Sequence, residues 1–176
     1  MAAGDIRQQY RTSTAVDVTN LHSQPASTDF LTGWTSPTID NSSNLDLDIL
    51  VSGSFTLASS GLAAGEIRVY LLPVRDNVSG DTWPDVYTTG TEGTQSASAV
   101  VRDTEILDSA FYLLWSTVTD TGASDVYPMP QTSVLARIGF VPRKFLLFVA
   151  QSTTQNLASS GNGIWLQGAS ANVAQA

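Results

Sequence analysis

Apolar and polar residues alternate along residues 45–57, the clearest periodic segment of the chain. Aspartate, serine and threonine separate most of the apolar positions, which are Leu45, Leu47, Ile49, Val51, Phe55 and Leu57. A period of two places these side chains on one face, so the pattern predicts a long strand with one buried face. Gly53 interrupts the apolar positions and indicates a bulge or the close approach of another backbone.

Further stretches have the composition of strands. Residues 66–74 (EIRVYLLPV) also alternate and, after a turn at 58–61, predict a hairpin with the first strand. Three more predicted strands are 111–118 (FYLLWSTV), 144–151 (KFLLFVAQ, which reads as buried) and 163–173 (GIWLQGASANV). The sequence LASSG occurs at 57–61 and again at 157–161, and Asn162-Gly163 after the second copy predicts a hairpin turn before the last strand.

One short helix is predicted after residue 133. Ser133 is a suitable N-cap, Val134 to Ile138 make little more than one turn, and Gly139 suits the left-handed position that ends a helix. Residues 106–107 fit either a short helix or the strand that follows. Strands with short connections and one helical turn predict an all-β fold, a single β-sandwich or jelly-roll-like domain.

Two regions lack a clear period. Residues 1–40 carry scattered apolar positions between polar breaks and predict an extended N-terminal arm with one or two edge strands, whereas residues 41–176 form the predicted β-sandwich domain. Residues 76–99 are polar and rich in turn formers. A connection of this length inside a compact domain is usually functional or mobile.

Composition excludes several classes of partner and chemistry. The net charge is −8, and basic residues cluster only at Arg143-Lys144, so we expect no direct binding to nucleic acid. The longest apolar run, 145–150, is too short to span a bilayer, and residues 1–10 lack the apolar core of a secretory signal, so we expect no membrane partner. The absence of cysteine excludes disulfides, thiolate zinc sites and cysteine nucleophiles.

Motifs that could carry catalysis are incomplete. The tripeptide 83–85 (WPD) matches that of protein tyrosine phosphatases, whose chemistry requires the missing cysteine. His22 is the single histidine, and its polar, proline-flanked segment indicates a surface or capping role. Gly161-x-Gly163 lacks the lysine and the following helix of a phosphate loop. We therefore expect no catalytic residues, no enzymatic activity and no cofactor.

The aspartate side chains leave calcium binding open as an alternative. Asp46 and Asp48 lie two positions apart on the first predicted strand, and Asp76, Asp81 and Asp85 follow in the polar region. Oxygen ligands of this kind bind calcium, but a solvated acidic strand face explains the first pair equally well. Residues 76–85 lack the ligand spacing of an EF-hand.

The order of motifs in the second half resembles that of small virion proteins of tailed bacteriophages. PQTSVLARIGFVPR at 130–143, an apolar strand and LASSGNGIWLQG at 157–168 carry the resemblance, together with EIRVYLLPVRD and GDTWPD within 66–85. It covers roughly residues 45–170. Such proteins are β-sandwich components of the particle, often capsid decoration (cement) proteins. The resemblance implies a homo-oligomer, commonly a trimer, bound to the major capsid protein on the exterior of the virion.

Candidate interface residues follow from this reading. Residues 1–40 are a candidate arm for strand addition to a neighbour's sheet edge. Aromatic side chains anchor many interfaces, and the candidates here are Phe30, Trp34, Trp83 and Tyr87. Ordinary packing under a long loop explains the last two equally well. The alternative function is a tail, neck or fibre component that binds a host glycan or receptor through Trp83, Tyr87 or Trp115.

Overall fold

The strands predicted from the sequence all form in the computed structural model, which describes residues 6–58, 65–76, 80–120 and 124–173. Two short helices and one 3₁₀ turn (Thr19–Leu21) accompany them. In chain order the strands and helices are β1 Ile6–Tyr10, β2 Thr14–Ala15, β3 Thr32–Thr35, β4 Ile39–Asp40, β5 Asp48–Thr56, β6 Glu66–Pro73, β7 Tyr87–Thr89, β8 Ser96–Val101, α1 Thr104–Ala110, β9 Tyr112–Val118, β10 Val126–Ser133, α2 Val134–Ile138, β11 Lys144–Gln151 and β12 Gly163–Val173.

The strands form two sheets that pack face to face. Sheet A has five strands, in the order β1-β12-β5-β10, with β2 also paired to β12. Sheet B has seven, in the order β7-β8-β3-β11-β6-β9, with β4 also paired to β11. Every pairing is antiparallel. The predicted all-β sandwich is therefore confirmed.

The main core lies between the two sheets. Alternate residues of β5 point inward, and Ile49, Val51 and Phe55 are buried against Trp115 and the odd-numbered residues of β6 and β11. Gly53 lies where a Cβ would be 3.2 Å from the backbone oxygen of Gly163, which is the close backbone approach that the sequence indicated. The period predicted for 45–57 thus holds over the strand itself.

A second core covers the other face of sheet B. The even-numbered residues of β11, including Leu146 and Phe148, pack with Tyr70, Tyr87 and Phe111 beneath α1 and the segment before β7. Because both faces of β11 are covered, every residue after the first is buried. This explains why KFLLFVAQ is a continuous apolar run rather than an alternating one.

Both predicted hairpins are wrong. Strand β5 belongs to sheet A and β6 to sheet B, and β11 and β12 are divided between the sheets in the same way. The residues between these strands cross from one sheet to the other. The two copies of LASSG meet at the crossing, where Leu57 and Leu157 form an antiparallel bridge and Ala158 N donates to Thr56 O at 2.7 Å. Residues 59–61 of the first copy lie outside the described residues.

Helix α2 forms as predicted. The Ser133 hydroxyl accepts a hydrogen bond from Ala136 N, and Gly139 ends the helix in the left-handed conformation (φ 85°). Residues 106–107, for which strand and helix were both open, lie in α1, where the Asp103 carboxylate caps the first turn by accepting from Ile106 N.

The two regions without a period are more ordered than their sequences indicate. Strand β1 is an edge strand as expected, but β3 lies inside sheet B between β8 and β11. Gly33 permits this position, because a Cβ there would collide with the Val149 carbonyl and the Phe148 ring. Within the predicted connection 76–99, residues 87–89 form β7 and residues 96–99 begin β8.

Candidate functional site

Two of the four candidate interface aromatics lie inside the fold. Trp34 is fully buried in the core between the sheets, and its indole N–H has no hydrogen-bond acceptor among the described residues. Tyr87 is buried against Phe111 and Phe148, and burial, with a smaller contribution from Glu92, raises the pKa of its hydroxyl well above the ordinary value. Neither ring offers a surface to a partner in this conformation.

The other two candidates lie at the surface of the second core. The Arg68 guanidinium carbon sits 3.9 Å above the centre of the half-buried Phe30 ring. The Trp83 indole lies against the backbone at Gly93, and the neighbouring Asp85 pairs with Arg102 at 2.5 Å. Contact of Phe30 and Trp83 with a partner stays a prediction.

The carboxylates of Asp46 and Asp48 have separate structural partners. Asp46 is buried and accepts from Arg11 Nε at 2.6 Å. Asp48 Oδ2 accepts from the Ser133 hydroxyl at 2.5 Å, and its Oδ1 accepts from Leu135 N at 2.9 Å, so this side chain holds the first turn of α2. In the part of the chain that the structure describes, no group of three or more His, Cys, Asp or Glu side chains is placed to hold a metal ion.

His22 and Asn162 belong to the crossing between the sheets. His22 Nδ1 lies 3.2 Å from Asn162 Nδ2, and the Asn162 amide accepts from Thr56 N and donates to Ala158 O, both at 2.8 Å. Asn162 therefore ties the second LASSG segment to β5 instead of forming a hairpin turn.

A cleft of about 360 Å³ lies between β2 and β12 of sheet A and the segment around β4 of sheet B. Its volume is within the range of small-ligand sites. The charged groups at its floor bind each other, because Arg11 pairs with Asp46 and also donates to Asn44 O. At its rim, hydrogen bonding from Ser42, with a smaller contribution from Lys144, lowers the pKa of Asp40. Two of the charged side chains that line the cleft, Arg11 and Asp46, are thus already paired with each other.

Three exposed apolar side chains and one arginine on or beside α2 form the surface that we call the α2 patch, made of Tyr112, Leu135, Arg137 and Phe140. The Tyr112 and Phe140 rings meet edge to face with centroids 5.8 Å apart, and both are about 40% exposed (39% and 41%). Leu135, on α2, is 43% exposed. Arg137 is exposed and forms no ion pair with any residue that the structure describes.

A second exposed feature is the terminal ribbon, formed by β1 and residues 169–173 of β12. All five residues of β1 are exposed, and Ile6 and Tyr10 reach 75% and 53%. Beside the ribbon, Leu45 and Leu47 are also exposed, which corrects their predicted place on the buried face. The alternation ends there because Leu45 adopts a left-handed conformation (φ 51°) before β5 begins.

Sequence reasoning located α2 but missed that Leu135 faces solvent while Val134 is buried, and it read the Leu45 and Leu47 positions as core. The remaining signal in the sequence was the short length of α2, since five residues cannot bury every apolar side chain that they carry.

Among the described residues no helix is long and apolar enough to cross a membrane. No family model and no curated protein sequence matches the chain.

Proposed function

We propose that the chain is a non-enzymatic structural protein of a tailed-phage particle, a decoration protein that binds the outer surface of the major capsid shell as a homo-oligomer and stabilises it. The observation that carries the proposal is the α2 patch. It is built largely by residues 130–143, the same stretch on which the resemblance to phage virion proteins rests.

The chemistry of the α2 patch suits a protein partner. Contiguous exposed apolar groups mark interaction surfaces, and tyrosine and arginine are enriched where interfaces gain most of their binding energy. Tyr112 and Phe140 supply two rings already fixed by their mutual contact, so little side-chain freedom is lost on binding. Arg137 adds one cation for an acidic group of the partner.

Charge supports an exterior position. The chain carries a net charge of −8, and among the described residues at least five of its eight basic side chains are paired with carboxylates. Packaged DNA repels such a surface, whereas the outside of a shell imposes no such penalty. Stabilising a shell requires added contact area and no reaction, in keeping with a chain in which Asp48 and Asp103 hold the first turns of the helices.

Binding to isolated shells tests the α2 patch. Phe140→Ser combined with Leu135→Ser is expected to weaken co-sedimentation with shells that lack this protein at least tenfold, since interface anchors typically contribute 2 kcal/mol or more. Val118→Ser, another exposed apolar position on β9, is the matched control and should bind like the natural chain. Equal binding by all three proteins would refute the role of the patch.

Electron microscopy of particles with and without the protein tests its position. Density spread over the whole icosahedral shell is the expected result. Density confined to the tail, neck or fibres would refute the shell assignment and favour the glycan- or receptor-binding alternative. That alternative has weaker support, because two of its three aromatic residues, Tyr87 and Trp115, are buried.

A further inference from the structure

The edges of the two sheets differ in how they are protected from pairing with other strands. In the described residues, β10 and β1 form the edges of sheet A, and β7 and β9 those of sheet B. Strand β10 contains Pro128 and Pro130, which have no N–H to donate. Strand β7 has three residues, and β9 carries a register shift opposite Val69 and Tyr70 and packs beside α2. These are recognised devices against edge-to-edge pairing.

Strand β1 has none of these devices. It pairs with β12 in unbroken register from Ile6 opposite Val173 to Tyr10 opposite Ala169, and it contains neither proline nor an acidic residue. Arg11 N donates to Gly168 O, and hydrogen bonds alternate along an antiparallel pair. The N–H and C=O groups of Arg7 and Gln9 therefore face β12, and those of Ile6, Gln8 and Tyr10 face outward.

We propose that this outer edge pairs antiparallel with β1 of a second copy of the chain, across a two-fold axis at Gln8. In this register Gln8 lies opposite Gln8 of the second copy, and Ile6 lies opposite Tyr10. The outward groups then make about six hydrogen bonds between the copies, two for each facing pair. Sheet A becomes continuous through both molecules.

Side-chain chemistry selects a second copy as the occupant. The two-fold axis places each exposed Ile6 beside a Tyr10 ring of the other copy, an aromatic and β-branched pair of the kind that stabilises sheets. On the opposite face Arg7 lies across from Gln9, so no like charges are directly opposed. In a chain with a net charge of −8, β1 is the edge strand that carries a basic residue, Arg7, which lessens the repulsion between two copies that meet there.

The expected strength follows from the small size of the contact. Two five-residue strands bury less than the roughly 1,200–2,000 Å² of a stable interface, so we expect a weak dimer that forms at high concentration. A two-fold contact gives dimers, whereas a trimer requires a different, heterologous contact. This inference does not depend on the proposed function, because it is tested on the isolated protein and leaves the α2 patch unaltered.

A single engineered thiol tests the register. The chain has no cysteine, so Gln8→Cys introduces one thiol whose counterpart lies across the axis. Facing residues have Cα atoms about 5.5 Å apart, within the range that a disulfide spans. On mild oxidation we expect Gln8→Cys to form covalent dimers at least tenfold faster than Gln131→Cys, a matched change on the proline-containing β10. Equal rates would overturn the proposal.

A second variant tests the outer hydrogen bonds. Gln8→Pro removes an outward N–H and leaves the bonds from β1 to β12 in place, so the melting temperature should stay close to that of the natural chain. Sedimentation equilibrium up to about 1 mM protein should show a dimer whose dissociation constant rises at least tenfold in this variant. A monomer throughout, or a dimer or trimer that Gln8→Pro leaves unchanged, would overturn the inference.

Discussion

Replacing Asp48 by alanine tests whether the carboxylate predicted as a candidate calcium ligand is instead the anchor of α2. Asp48 lies at the start of β5 and accepts from the Ser133 hydroxyl and from Leu135 N. The variant removes both hydrogen bonds and leaves Leu135 N, one of the free amides of the first helical turn, without its protein acceptor. The side-chain link between β5 and the first turn of α2 is then lost.

The magnitude follows from these two bonds. Hydrogen bonds to a charged group contribute about 1.5–3 kcal/mol each, and the half-exposed position of Asp48 lets water replace part of this. We expect Asp48→Ala to lower the free energy of unfolding by about 2 kcal/mol. At a typical urea dependence of about 2 kcal/mol per molar, the unfolding midpoint falls by about 1 M.

Urea unfolding followed by circular dichroism measures this change. Asp108→Ala, which removes the same charge from an exposed site on α1, is the matched control and should shift the free energy by less than about 0.5 kcal/mol. Asp48→Asn keeps one acceptor oxygen, and its free energy of unfolding should lie between those of Asp48→Ala and Asp108→Ala. If Asp48→Ala and Asp108→Ala unfold at the same urea concentration, the anchoring role of Asp48 is refuted.

Two further predictions concern sheet B. Phe148→Ala should lower the free energy of unfolding by about 3–5 kcal/mol, because the ring packs in the second core. Phe140→Ala, at the surface, should lower it by less than about 1 kcal/mol. Similar values for the two variants in thermal or urea unfolding would contradict the burial of the second face of sheet B. Hydrogen bonding from Arg68 lowers the pKa of Glu66 in the folded protein. The ionised Glu66 side chain therefore contributes its full stabilisation above the unfolded pKa of about 4.3, and this stabilisation is lost as the pH falls through the lower folded pKa. Glu66→Gln should therefore flatten the decline of stability below about pH 5, and Glu105→Gln should not; identical pH profiles for the two variants would contradict this.

The sequence predicts the strands and α2 because their signals are local. Alternation over β5 and the cap at Ser133 depend on neighbouring residues, and both are confirmed. The pairing of strands depends on residues far apart, and a turn between two strands does not reveal whether the chain stays in one sheet or crosses to the other. The wrong hairpins at the two LASSG segments have this cause.

The candidate site was harder to predict because aromatic side chains serve cores and interfaces alike. Nothing in the local sequence of Trp34 separates it from Phe140, yet the first is fully buried and the second is 41% exposed. The difference arises from β3 entering the middle of sheet B, a consequence of the space that Gly33 leaves for Val149 and Phe148.

The position of β12 has a consequence for biosynthesis. This strand lies at the centre of sheet A, between the N-terminal strands and β5, although it is the last of the described strands to be made. Until residues 163–173 leave the ribosome, β1 and β2 have no partner in sheet A, and β5 can pair only with β10, so part of the inner face of sheet B stays exposed. The pairing of β1, β2 and β5 with β12 therefore waits until residues 163–173 have been made, and it is slow, since it joins residues as distant as Ile6 and Val173. Nascent chains stalled before residue 163 should accordingly be sensitive to protease and recruit chaperones.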